Sequence, residues 1–393
     1  MDFSFGDRAE SLRARLRELI AAHLPPDFLS PFTDDPEDFA LTERFCRILG
    51  EEQLLALAWP PEHGGAGGDV WEQTVVREEM WAHYEPRGPQ YMGLNWVGPA
   101  LMRFGSPAQQ ERYLPRIAQG EIVWCQGFSE PEAGSDLAAL KTRARPVEGG
   151  DGWLVNGQKI WTSYAQMAEV CVLLARTSDE GRRQQGLTLF LLPMDRPGIE
   201  VRGIDSLFGP HHVNEVFLTD VPVGPDDVLG EVGHGWRIVR EMLAHERVGI
   251  ARYARCDRLL ARHREALADR WEELPQALRA RYARALVHGR VARLLAYQVV
   301  DAQSRDVVDD ADTAAARLAT TRLDQEVAEV LMEGAGASAL TPTGHPGAPL
   351  HGAVEDHYRY SFASTIASGT SEVMSILMAR AIFGGDDGPA TAG

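Results

Sequence analysis

The chain has 393 residues, enough to bury a sizeable core in two or three domains or layers. Its 44% hydrophobic and 24% charged residues are ordinary for a globular protein, and a net charge of −18 argues against nucleic acid, whose phosphates call for a basic face. Four scattered cysteines (Cys46, Cys125, Cys171, Cys256) without a CxxC pair predict buried free thiols in a cytoplasmic setting, and no apolar run approaches the roughly 18 residues of a membrane span.

Residues 1–122 read as a helical region. Leu12, Leu16, Leu19 and Ile20 form one stripe, Phe39 to Leu57 another, and Val75, Val76 and Met80 a third. Between them WPPEHGGAGGD (59–69) breaks the pattern with two prolines and four glycines. From 123 to 226 the texture changes to short runs rich in Val, Leu, Ile, Thr and Phe, such as GWLVNGQKIWT, VCVLLART, LTLFLLPM and NEVFLTDVPV. Glycine, aspartate and proline bound these runs, so an antiparallel β-domain is predicted. Residues 227–384 return to helical periodicity, and the tail 385–393 has nothing to bury and is expected to be disordered. The fold class is therefore α+β: helices, then strands, then helices.

Two segments in the β-region carry chemistry. CQGFSEPEAGSDL (125–137) is a strand followed by a turn-rich run whose small residues let backbone N–H groups approach an anion. NGQKIWTS ends at Trp161-Thr162-Ser163, setting an indole beside two hydroxyls, a flat wall with hydrogen-bond partners at its edge. Neither GxGxxG nor GxxxxGK[ST] occurs, so a Rossmann site or a P-loop does not explain nucleotide binding.

A third feature is Glu246 in WRIVREMLAHERVGIARYAR (236–255). Val239, Met242, Leu243, Ile250 and Tyr253 share a helical face with it, while Arg247 falls off that stripe. A carboxylate on an apolar face is desolvated, which raises its pKa and suits a general base. The bland alternative is a glutamate paired to a buried arginine or capping a loop. His345, His351 and His357 fall at six-residue steps in a Pro/Gly-rich stretch; their spacing lacks the convergence of metal ligands, so no metal site is predicted and a surface loop is expected. The arginines of 279–297 alternate with apolar positions and read as a solvated helix face rather than a polyanion site.

These segments, in this order and spacing, resemble the flavin-holding middle of the acyl-CoA dehydrogenases. The resemblance implies the family's fold, with an N-terminal helical domain (1–122), a middle antiparallel β-domain (123–226) and a C-terminal helical bundle (227–384). It implies FAD as cofactor, held by Gln126, Phe128, Ser129, Gly134, Ser135, Trp161, Ser163 and Thr370. It also implies substrate contacts at Ser135, Arg247, Ser368 and Gly369. Most members of the family carry their base in a C-terminal Glu-Gly-Thr motif. Here, aligned through Gly369-Thr370, that position holds Ser368, whereas Glu246-Arg247 matches the alternative location used by a minority. Glu246 is thus the implied base for α,β-dehydrogenation of an acyl-CoA thioester to the trans-2-enoyl-CoA. The β-hydrogen leaves as hydride to the flavin, and an electron-transfer flavoprotein or equivalent is the acceptor.

The chain departs from the family at two places. ALADRWEELPQALRARY (266–282) lacks the Arg-x-x-Phe-Gly loop of most homotetramers, and EVLMEGAGASAL (329–340) keeps Gly334 and Gly336 but not the glutamine. Both elements reach a neighbouring subunit's FAD in the family. A dimer or tetramer is therefore expected, with a second acyl-CoA dehydrogenase-like polypeptide completing the site, as in pimeloyl-CoA and steroid side-chain types. Ala367-Ser368 leaves room for a wide acyl group. Two other readings stand beside this one: a low-activity or scaffolding subunit of such a heteromer, and a flavin monooxygenase on the same fold.

Overall fold

The apolar runs between residues 124 and 229 become eight strands: β1 Trp124–Gly127, β2 Arg143–Pro146, β3 Trp153–Ser163, β4 Val170–Arg176, β5 Leu187–Pro193, β6 Ile199–Ser206, β7 Gly209–Val223 and β8 Val228–Leu229. The helices are α1 Asp7–His23, α2 Pro36–Glu51, α3 Val70–Ala82, α4 Gln90–Met92, α5 Gly98–Phe104, α6 Pro107–Ala118, α7 Gly235–Gly249, α8 Arg252–Leu267, α9 Gln276–Ser304, α10 Asp310–Ala335, α11 Ala353–Ala363 and α12 Ser371–Phe383. This computed structural model describes residues 5–29, 35–207, 209–249, 251–305, 307 and 309–383, without the side chains of 210, 211, 244–249 and 269. The side chains of Glu246 and Arg247 and the whole tail from 384 therefore lie outside the described residues.

By its internal contacts the chain forms two units. One comprises residues 30–69 and 85–246; the other comprises residues 1–29, 70–84 and 247–393. The dividing line within α7 falls between Glu246 and Arg247.

The first unit is built on the sheet, in the order β6-β7-β3-β2-β4-β5-β8, with β1 pairing β4. Antiparallel pairing dominates, as the strand pattern predicts, but β1 runs parallel to β4 and β2 meets β4 in a parallel bridge. β4 is buried along its whole length and β5 nearly so, which accounts for their mostly apolar sequences VCVLLAR and LTLFLLP. β6 alternates instead, as an edge strand does, and its Arg202 guanidinium lies 4.6 Å from the centre of the Phe217 ring on β7. α6 starts with a reciprocal Ser106–Gln109 capping box and Pro107 in its first turn. The Gln109 amide then donates to the carbonyls of Asp226 (2.8 Å) and Val228 (2.9 Å), fastening the helix to the β8 end of the sheet.

The second unit is helical. Arg13 on α1 donates to Glu79 (2.7 Å) and Glu78 (2.9 Å) on α3, Arg17 donates to Glu79, and the Tyr297 hydroxyl on α9 reaches Glu78 at 2.7 Å. Two nearly buried carboxylates are thereby neutralised and three helices joined. The predicted solvated arginine face of α9 is largely ion-paired: Arg281 and Arg284 meet Glu329 and Glu326 on α10, and Arg290 and Arg293 meet Asp257 on α8. α10 presents Ala314 and Leu318 to Met374 of α12.

The histidine loop needs correction at one residue. His345 and His351 are exposed, but His357 is completely buried on α11. The chain re-enters a helix at Ala353, so His357 shares an inner face with Val354 and Ser361 at helical spacing; the six-residue step carries no meaning there.

Candidate active site

The two motif segments meet in the sheet unit. β3 is paired to β7 with two register shifts, one of them between Lys159 and Thr162. Such a bulge re-aims the side chains beside it. Trp161 sits inside it at φ +60°, a conformation rare for a bulky residue, and its side chain is 58% exposed at the end of an otherwise paired strand. Next to it Thr162 is completely buried, with its hydroxyl oxygen lacking a partner among the described residues. Ser163 is half-buried.

The turn after β1 is tied to this strand end by three contacts. The Ile160 amide donates to Ser129 O at 3.0 Å. The Lys159 ammonium, completely buried, donates to Phe128 O (3.1 Å) and to Glu130 Oε1 (2.8 Å). Glu130 in turn accepts from the amides of Lys141 (2.6 Å) and Thr142 (2.8 Å). Burial lowers the Lys159 pKa, with the nearby carboxylate opposing it. Burial alone would raise Glu130, but the charge and hydrogen bonds of Lys159, Thr142 and Lys141 outweigh that and hold it below the usual range. Sequence reading missed this pair: the two residues are 29 positions apart, and the only hint was that each lies inside one of the two motifs.

Gln126 (half-buried), Phe128 (buried) and Ser129 (half-buried) thus stand beside the strand that ends at Trp161 and Ser163. Further along the turn Gly134 and Ser135 are exposed, and a Cβ added at Gly134 would meet nothing within 4 Å. The donor set suits a flavin nucleotide: a bare indole wall, the half-buried Ser163 beside it and an open small-residue turn that backbone-binding phosphates require.

α7 buries Gly235, Ile238, Val239 and Met242. Glu246 is the helix position one turn past Met242. In the helical unit the chain leaves α11 and makes the turn 364–370. Ser368 (φ +61°) and Gly369 (φ +95°) are two consecutive left-handed residues, and Thr370 Oγ1 then accepts from Val373 N at 3.2 Å, starting α12. Arg317 of α10, 3% exposed, donates from Nη2 to Ser364 O (3.0 Å) and Ala367 O (2.5 Å), and Thr321 adds a hydroxyl to Ser364 O. The structure therefore groups Ser368, Gly369 and Thr370 in one turn, apart in the chain's division from the sheet-unit residues.

One cluster in the helical unit resembles a ligand set. Cys256, Asp324 and His357 bring one donor atom each within 4.8 Å of one another. Arg252 Nε stands 2.7 Å from Asp324 Oδ2 and Arg255 3.7 Å from Oδ1, so that carboxylate's charge is already answered. Burial pushes His357 down to about 3, leaving a neutral imidazole.

Family models for the acyl-CoA dehydrogenase N-terminal, middle and C-terminal domains match residues 6–121, 125–221 and 233–383. The chain is 32% identical to the acyl-CoA dehydrogenase IpdE1 of Mycolicibacterium smegmatis, over 95% of this chain and 97% of that one. It belongs to the acyl-CoA dehydrogenase family. Among solved structures it is similar to the Tcur3481-Tcur3483 steroid ACAD, with TM-score 0.89 and 30% identity over 98% and 99% of the two chains. It is similar also to the ChsE4-ChsE5 complex from Mycobacterium tuberculosis, with TM-score 0.85 and 29% identity over 98% and 99%. The acyl-CoA dehydrogenase fold, with helical, β-sheet and helical domains in order, is thereby established. So are its class, an oxidoreductase acting on CH–CH donors, and its cofactor, FAD. Among the described residues no helix is long and apolar enough to cross a membrane.

Proposed function

We propose that this acyl-CoA dehydrogenase converts an acyl-CoA thioester to the trans-2-enoyl-CoA with Glu246 as the α-proton base. The observation that supports it is the buried row of α7, Gly235, Ile238, Val239 and Met242, which Glu246 extends by one turn, while the turn at Ser368 holds no carboxylate. Gln126, Phe128, Ser129 and Trp161 would line the flavin, Ser163 its edge, and Gly134, Ser135 and Thr370 the phosphate-bearing part. Ser135 and Arg247 would also contact the substrate. When bound, FAD supplies the acceptor for the hydrogen that leaves the β-carbon as hydride. The backbone amides at Ser368 and Gly369 would hold the thioester carbonyl, which makes the α-C–H acidic and orients it for Glu246. The small pair Ala367-Ser368 favours a branched or ring-bearing acyl group, a reading that the likeness to a steroid acyl-CoA dehydrogenase supports.

The departures at 266–282 and 329–340, with the likeness to two two-component complexes, support assembly with a second subunit of the same fold. An electron-transfer flavoprotein or equivalent would reoxidise the enzyme. The test is a screen of straight, branched and cyclic acyl-CoAs with a ferrocenium acceptor, on protein made alone and with its partner. Glu246→Gln is expected to keep its FAD and lose turnover by roughly 10²–10⁴-fold. Undiminished turnover in that variant would refute the assignment.

A further inference from the structure

We propose that Arg317 is a charged positioning residue for the turn that activates the thioester: it fixes the Ser368–Gly369 backbone and places an unneutralised positive charge behind it. The inference rests on the reading of that turn given above.

Three observations carry it. Arg317 is 3% exposed, and one of its nitrogens, Nη2, clasps both Ser364 O and Ala367 O, the two carbonyls that bracket the start of the turn. Its other two nitrogens, Nε and Nη1, are buried and have no hydrogen-bond partner among the described residues. Among the described residues no carboxylate pairs with it, whereas Arg252 and Arg255, equally buried in the same unit, share Asp324. A buried guanidinium without a counter-ion is costly, and a structural tie to two carbonyls does not require the charge; a neutral amide donor would serve. The surplus is the positive potential itself.

That potential has a use at this turn. When the α-C–H bond breaks, its proton passes to Glu246 and its electron pair spreads onto the thioester oxygen. A fixed positive charge behind the amides that hold this oxygen favours the enolate over the ground-state carbonyl, which is the differential stabilisation catalysis needs. Ser368 and Gly369 are consecutive left-handed residues, and the Ala367 carbonyl that Arg317 holds belongs to the same peptide group as the Ser368 amide, so the charge stands behind that N–H.

The test separates charge from tethering. Arg317→Gln keeps an N–H donor and removes the charge; Arg317→Lys keeps the charge and reduces the donors. FAD-loaded enzyme is saturated with acetoacetyl-CoA, and the bound enolate is read by its ultraviolet absorbance as a function of pH, with FAD content and thermal unfolding measured alongside. The expected result is a tenfold or larger loss of enolate at fixed pH in Arg317→Gln, about one pKa unit. Arg317→Lys stays within about threefold of wild type, and FAD content and unfolding temperature match in the two variants. Equal enolisation by both variants, or wild-type enolisation by Arg317→Gln, overturns the proposal. Should the glutamine variant fail to accumulate, a tenfold loss in a well-folded Arg317→Lys overturns it as well. Full turnover by Glu246→Gln would refute the base assignment and leave this comparison intact, so the two failures are distinguishable.

Discussion

The strand end at Trp161 and the turn at Ser368 are held by the same device with opposite electrical outcomes. In each a buried cation donates to backbone carbonyls: Lys159 to Phe128 O, Arg317 to Ser364 O and Ala367 O. Lys159 also meets Glu130, which collects two further amides, so the first clamp is neutral. Arg317 meets no acid among the described residues, so the second clamp keeps its charge. On the proposed reading, a wall for the flavin ring needs only position, whereas a turn that holds the developing negative oxygen would gain from a field.

The contrast is most exposed by removing each cation. Lys159→Met leaves the nearly buried Glu130 carboxylate without its partner and is expected to cost about 3–5 kcal/mol, measured by urea unfolding of the FAD-loaded enzyme. Lys159→Met combined with Glu130→Gln should recover much of that loss. Arg317→Gln abandons no acid and should cost far less, so equal losses at the two sites would break the comparison. A smaller effect is expected at the turn's backbone. Gly369→Ala forces a side chain into φ +95° with its Cβ 2.7 Å from Met374 Cε, costing about 1–2 kcal/mol in the same experiment. The smallest is a pH effect. Glu130 is held below its unfolded value of 4.5 chiefly by Lys159 against the cost of burial, so its contribution is complete above pH 4.5 and is lost as pH falls through the folded pKa. Glu130→Gln should therefore flatten the acid limb of the stability curve, and Arg317→Gln should leave it unchanged.

The strands were legible because their apolar runs are bounded by glycine, aspartate and proline, and the motif at 125–137 lies where its small residues predict, in an open turn. Trp161 was legible as a flat surface but not as a strained residue, because the bulge depends on pairing with Asn214 and Val216 some fifty residues later. The Glu130–Lys159 tie and the lone charge of Arg317 were hidden for a related reason. Burial and the presence or absence of a counter-ion are properties of packing, and α10 by its sequence is one more amphipathic helix. His357 was misread because regular spacing along the chain was weighed before the helix that sets its direction.

The bulge at the end of β3 also gives the protein an optical signature. Of its nine tryptophans, Trp161 alone is exposed, while Trp59, Trp81, Trp96 and Trp124 are buried and the rest are partly covered. A collisional quencher in solution therefore addresses chiefly one indole, and shielding of that emission reports directly on whatever stacks against the strand's last turn.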